Sequence, residues 1–216
     1  SEGKMIMTSW GYTLLDVDDM PEILTQDEFN VMTANKYALD SRVPSAIKSV
    51  TAAIRNYCGW HIAGSQRCEI VLNALDLQIT RNYSDLLIQL PFKYISDVEK
   101  VIINATKNED GTWVGDEYEY SVAYDGRLTV YDAQIDSRKS TIVIIATVGI
   151  SITDDIKSII CNKVSHILSG TYGVQSETAG GLSISYSSSF VNGAKASSLM
   201  TDDKEMLNAY KVVTLL

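Results

Sequence analysis

A chain of 216 residues and 23.8 kDa has length for one large or two small domains with a real core. Its 45% apolar residues and only three prolines exclude disorder and collagen-like repeats as a global description. Eighteen basic against 27 acidic side chains, −9 overall, leave no basic segment, which excludes binding to DNA driven by phosphate contacts, though not a protein that DNA merely passes.

The longest unbroken apolar run, Ile142–Ala146, has about five residues, too few for a membrane-spanning helix. Ser1–Met7 offers no apolar h-region of a signal peptide. Three cysteines without an export signal are expected as reduced thiols of an intracellular protein.

Residues 1–24 have little periodicity and carry Asp16, Asp18, Asp19 and Glu22; they read as an irregular acidic arm. Thr25-Gln26-Asp27-Glu28 has the spacing of a capping box and predicts a short helix whose inner face is Phe29, Met32 and Tyr37. Val43, Ile47, Val50, Ile54 and Tyr57 recur at spacings of three and four, which predicts a helix over 43–58. Pro44 stands in its first turn and Gly59 at its end.

From about 67 to 148 the period becomes two. The strands expected are Cys68–Leu72, Leu86–Leu90, Val98–Asn104, Glu117–Tyr124, Arg127–Tyr131 and Thr141–Val148. Asp125-Gly126 predicts a tight two-residue hairpin with both residues at positive φ, and Asn108–Gly111 a looser turn. The continuous β-branched run Ile142–Ala146 predicts a buried central strand. Helix returns at Thr153, an N-cap followed by Asp154 and Asp155, with Ile156, Ile159, Ile160, Val164, Ile167 and Leu168 as its apolar stripe. Residues 173–198 are rich in Gly and Ser around the alternating Leu182, Ile184 and Tyr186. A last helix is expected from Thr201 or Asp202 to about Tyr210.

The fold class expected is α+β: a helical bundle layer from about 25–60 and 153–170 plus the C-terminal helix, with an inserted antiparallel β-sheet unit over 67–148. In domain terms this gives an N-terminal arm (1–24), a helical core (25–66 and 149–172), an inserted β-region (67–148), and a C-terminal arm with a short helix (173–216).

No residue set demands catalysis, and no cofactor or metal is expected. Cys58, His61 and Cys68 suggest zinc but lack a fourth ligand at a paired spacing, so buried thiols fit better. Asp16, Asp18 and Asp19 resemble a calcium loop only until Met20 and Pro21 fall where a ligand and a glycine are needed. Ser165-His166 lies inside an amphipathic helix with no oxyanion-hole loop or nucleophile elbow. Asp154-Asp155 and Asp202-Asp203 are explained by helix starts, and Gly180-Gly181 has no lysine of a phosphate loop.

The segment Gly173-Val174-Gln175-Ser176-Glu177-Thr178-Ala179-Gly180-Gly181-Leu182-Ser183-Ile184-Ser185-Tyr186 resembles the G-V-x-S-E-x-x-G-x-x-S-x-x-Y segment of phage head–tail connector (head-completion, or adaptor) proteins. Asp155-Ile156-Lys157 opening the preceding helix, Leu207-Asn208-Ala209-Tyr210 ending the last one, and Leu90–Val101 as a strand entry resemble the same family, as does Trp60 after the helix 43–58. The order of these motifs covers most of residues 25–210. The strand-rich insertion departs from the compact, mainly helical members and is similar to the longer ones.

The resemblance implies a structural virion protein of a tailed bacteriophage, assembled in the host cytoplasm and seated at the head–tail junction. It would form a ring, commonly of twelve copies, between portal and tail, closing or extending the DNA exit channel after packaging. The partners implied are the portal protein, a tail or tail-completion protein, further copies of itself, and double-stranded DNA passing without tight binding; no membrane is implied. Docking on the portal is expected from Val174, Ser176, Glu177, Gly180, Leu182, Ile184, Tyr186, Leu207 and Tyr210. Any of Asp97, Glu99, Asp116, Glu117 and Glu119 would serve as acidic lumen residues that let DNA slide. The rival readings are a tail-completion or terminator ring and a carbohydrate-binding β module on the Tyr118–Tyr124 face.

Overall fold

A computed structural model describes residues 4–73, 79–123, 125–136, 141–151, 154–169 and 199–212, together with the backbone of 176–179 and 182–185. The chain divides into two compact units. Unit 1 is Ser1–Pro21, Gly59–Ile152 and Tyr210–Leu216; unit 2 is Glu22–Cys58 and Thr153–Ala209.

Unit 1 contains two antiparallel sheets. The larger has the order β1-β2-β3-β10-β6-β7, built from β1 (Met5–Met7), β2 (Thr13–Leu15), β3 (Gln66–Asn73), β6 (Ile95–Lys107), β7 (Trp113–Glu117) and β10 (Thr141–Val148). The smaller has the order β4-β5-β9-β8, from β4 (Ile79–Asn82), β5 (Asp85–Gln89), β8 (Tyr120–Val122) and β9 (Arg127–Val130). The run read as a central strand, β10, lies between β3 and β6. Ile142, Val143, Ile144 and Ala146 are fully buried in it; each of the three larger side chains contributes roughly 1.5–3 kcal/mol by leaving water. In register with it, Ile144 faces Ile70 on one side and Val101 on the other, and both are buried. In the smaller sheet Leu86, Ile88, Leu128 and Val130 are buried, and they fall on one face because Leu86 pairs Val130 and Ile88 pairs Leu128. Tyr120 ties the sheets by donating its hydroxyl to the Val98 carbonyl at 2.6 Å.

Unit 2 holds α1 (Gln26–Met32), α2 (Val43–Cys58), α3 (Asp154–Leu168), α4 (Thr201–Leu207) and a hairpin of β11 (Ser176–Ala179) and β12 (Leu182–Ser185). The capping box at Thr25 forms as read: Glu28 N–H donates to Thr25 Oγ1 at 3.2 Å and Thr25 N–H to Glu28 Oε2 at 2.9 Å. Phe29 is fully buried, whereas Met32 is 45% exposed. Helix α2 packs on α3, with Val43, Val50 and Ile54 of one and Ile156, Ile160 and Val164 of the other fully buried. Arg42 joins their ends, donating to Asp40 Oδ2 at 2.7 Å and to the Leu168 carbonyl at 3.1 Å. The Thr153 N-cap expectation lies outside the described residues.

The helical bundle layer is not what forms. Among the described residues the protein is mostly β, with ten strands in the two antiparallel sheets of unit 1, a separate two-stranded hairpin, and four helices. Helices α1 and α4 have seven residues each, too short to bury a broad stripe, so α2 and α3 pack as a pair rather than as part of a layer. The balance shifts also because the arm read as irregular supplies two strands: Leu14 and Ile6 pair in β2 and β1, and Leu14 is fully buried beside Cys68 of β3.

Two further expectations change. The strand over 117–124 is broken at Tyr118 and Glu119 into β7 and β8, so its tyrosines do not form one alternating face. The 125–126 hairpin exists between β8 and β9, but its turn is looser than two residues. Ala123 N–H donates to the Arg127 carbonyl at 2.8 Å and Gly126 N–H to the Ala123 carbonyl at 3.0 Å. Of the pair only Gly126 is recorded at positive φ, +86°, which is the three-residue loop with a glycine bulge.

Candidate functional site

The expected docking residues fall in three places. Ser176 and Glu177 belong to β11, and Leu182 and Ile184 to β12; the register sets Glu177 opposite Ile184 and Ala179 opposite Leu182. Among the described residues no third strand pairs with this hairpin, and an isolated two-stranded ribbon is marginal in water. Val174, Gly180 and Tyr186 lie outside the described residues. Leu207 is fully buried in unit 2, its carbonyl 3.9 Å from Cys58 Sγ. Tyr210 lies in unit 1, where its carbonyl accepts the Trp60 Nε1–H at 2.7 Å and its ring lies 6.2 Å from that of Tyr94.

Of the acidic residues considered for a lumen, several are already engaged. Arg67 donates Nε–H to both Glu99 oxygens at 2.9 and 2.8 Å and approaches Asp16 at 3.4 Å, giving an acid–base–acid row on the sheet surface. Asp116 accepts from Asn104 Nδ2 at 2.8 Å, and Glu117 lies 3.4 Å from Lys100 Nζ. These carboxylates are therefore held by local basic or amide partners, Asp116 and Glu117 falling on opposite faces of β7. Trp113, half-buried at the β7 edge, sends its indole N–H to Glu69 Oε2 at 2.9 Å, beneath Lys107, whose ammonium sits 5.1 Å from the ring centre.

The residues weighed for metal chemistry have other occupations. Cys68 faces the core of β3, and burial pushes its thiol pKa up to about 12, which disfavours the thiolate a metal needs. His61 is fully buried. Its Nε2 meets the Val148 carbonyl at 3.1 Å; a carbonyl only accepts, so Nε2 carries the proton. Nδ1 then accepts from the Tyr12 hydroxyl at 2.8 Å, and the same hydroxyl oxygen accepts the His61 backbone N–H at 2.9 Å. Among the described residues no group of three or more His, Cys, Asp or Glu is placed to hold a metal ion.

The carbohydrate reading asks for exposed aromatics on the Tyr118–Tyr124 face. Tyr120 is exposed while its hydroxyl donates to the Val98 carbonyl, and the half-buried Tyr118 accepts the Gln134 N–H at 3.3 Å; Tyr124 lies outside the described residues.

Three of these arrangements had no sequence signal. The Tyr12–His61 pair spans 49 residues, Trp113–Glu69 spans 44, and Trp60–Tyr210 spans 150, far beyond any local spacing rule. Together Tyr12, His61, Trp60, Phe92, Tyr94 and Tyr210 form a linked aromatic cluster in unit 1, with Trp60 stacked on Tyr94 at 6.1 Å and 7° and Tyr12 edge-on to Phe92 at 5.4 Å.

Comparison with known families gives a match to the model described as "Head completion protein" over residues 22–192. It begins with the first residue of unit 2 and ends before α4. Comparison with curated proteins gives no match.

Proposed function

The chain belongs to the head completion protein family, a family of structural phage proteins, and from that membership we propose that it assembles as a cyclic ring between portal and tail. That membership implies a structural role in completing the phage head, as a virion component of the head–tail junction. The observation that carries the ring reading is the family match over 22–192. A portal template would let weak side-to-side contacts act many times over, so the isolated protein is expected to be monomeric or weakly associated.

The portal contact is assigned to the segment Val174–Tyr186, whose Leu182 and Ile184 alternate with serines, as strand addition to a partner's sheet edge requires. A β11–β12 ribbon with no third strand among the described residues supports this, because it has outer backbone edges to offer. The net charge of −9 suits a channel through which DNA slides without being held.

Negative-stain images of the protein mixed with its cognate portal test the proposal: rings capping the portal are expected. An obligate two-fold dimer with and without portal, seen by native mass spectrometry, refutes it. Salt-sensitive retention of random duplex DNA by the isolated protein refutes the low-friction channel.

A further inference from the structure

Helix α4 is fastened to unit 2 by one fully buried leucine and by polar contacts to α2 and α3. Lys163 Nζ of α3 lies 2.7 Å from Asp203 Oδ2, and the lysine side chain is only 6% exposed. The same Asp203 oxygen accepts the Met200 backbone N–H at 2.7 Å, so one carboxylate both starts the helix and fixes it to α3. From α2, the Tyr57 hydroxyl donates to Asn208 Oδ1 at 2.7 Å. Leu207 is the buried apolar residue of the helix, while Met206 is 53% exposed.

Seven residues do not hold a helix in water, so α4 exists only where a dock exists. Nothing in these contacts requires that dock to be in the same chain. Six residues separate Ser169 from the hairpin Ser176–Ser185, and thirteen separate the hairpin from Leu199. A stretch of nineteen residues can span at most roughly 60 Å.

We propose that α4 is an exchangeable element, docking through Asp203 on Lys163 of a second copy of this chain and so linking neighbours. The surface on α2 and α3 is complementary to α4 because α4 already occupies it, and exchange of an identical element needs no new contact. A buried ion pair favours one register, since any misplacement leaves a lysine without its carboxylate in a low-dielectric site. The exchanged stretch is 199–212, because Tyr210 follows α4 without a spacer. This rests on the reading that copies sit side by side, which brings dock and helix of adjacent chains to high effective concentration.

Lys163→Asp and Asp203→Lys, co-expressed with different tags, provide the test. Within either variant the pair is like-charged, so docking in the same chain is opposed. Between the two variants every pair is opposite. Native mass spectrometry is expected to show monomers for each variant alone and a mixed species of about twice 23.8 kDa on co-expression. The double variant carrying both changes in one chain is expected to return to monomer. Monomers only after co-expression, with circular dichroism showing folded chains, overturn the exchange. So does failure of co-expression to rescue variants that are unfolded alone. Wild-type rings on portal without mixed species refute the exchange and leave the ring standing; mixed species without rings refute the ring alone.

Discussion

Tyr12→Phe removes one oxygen from unit 1 and with it a hydrogen-bond partner of two buried groups. The hydroxyl donates to His61 Nδ1 at 2.8 Å and accepts the His61 N–H at 2.9 Å, with Tyr12 3% and His61 0% exposed. No water replaces it without a cavity, and the phenylalanine ring keeps the packing against Phe92. Each buried group losing a partner costs about 1–3 kcal/mol, so the loss expected is about 2–5 kcal/mol. In a chain of this size that lowers Tm by roughly 5–15 °C. Urea unfolding followed by fluorescence is expected to show a lower midpoint with an unchanged slope. Tyr83→Phe is the control, since Tyr83 is 99% exposed and its hydroxyl is in water. His61→Leu completes a double-mutant cycle, in which coupling with Tyr12→Phe of more than about 1 kcal/mol is expected. A Tyr12→Phe protein indistinguishable from Tyr83→Phe, or additive with His61→Leu, refutes this account of the pair.

Glu28 has its pKa lowered, first by the hydrogen bond from Lys157 and then by the Thr25 backbone N–H. Its stabilisation is therefore complete above the ordinary glutamate range near pH ~4.3 and lost as pH falls through the depressed native value. Glu28→Gln is expected to cost roughly 1 kcal/mol at pH 7 and nothing in strong acid, the pair being only partly buried and screened by solvent; an equal cost at both pH values contradicts it. Gly126→Ala is expected to destabilise by more than about 2 kcal/mol, because positive φ is joined by a collision of the new Cβ with the Phe92 carbonyl. Gly59→Ala, also at positive φ but with open space around it, is expected to cost about 1 kcal/mol; equal melting temperatures for the two contradict the steric argument. Replacing 174–186 by a Gly/Ser linker of equal length is expected to abolish portal co-sedimentation while leaving circular dichroism intact. Simple truncation after Gly173 does not isolate that segment, since it also removes α4 and Tyr210, which pack in the fold. Retained portal binding by the linker variant places the contact elsewhere.

What could be read from the sequence was what local rules encode. The Thr25–Glu28 box, the stripe of α2 and the β-branched run of β10 each lie within one element, and each formed at or near its expected bounds. The arm failed as a reading because Met5–Met7 and Thr13–Leu15 are three-residue strands, too short to show a period. Their pairing is fixed by β3, some fifty residues away. Tyr118–Tyr124 showed the opposite error: perfect alternation in sequence, interrupted in the fold at residues 118–119. The fold class went wrong through weighting, since helix stripes are conspicuous while short strands are not. At the candidate site, the hairpin register was latent in the alternation of Leu182 and Ile184, but the buried state of Leu207 depends on contacts with Cys58 that no spacing reveals.

The interleaving of the two units also sets the order in which this protein can be made. Unit 1 draws on 1–21, 59–152 and 210–216, with unit 2 threaded between them. As the chain leaves the ribosome, β2 has no partner until β3 is synthesised, and Trp60 meets Tyr210 only 150 residues after its own addition. At about 5–20 residues per second that is a wait of roughly 8–30 s, during which the indole N–H lacks its native acceptor. Long-range pairing of this kind folds slowly and late. A chain cut short by premature termination before Asp203 lacks both the partner of Lys163 and the carbonyl for Trp60, leaving each unit incomplete. Fold completion thus waits on residues made at the end of this stretch, Asp203 for unit 2 and Tyr210 for unit 1.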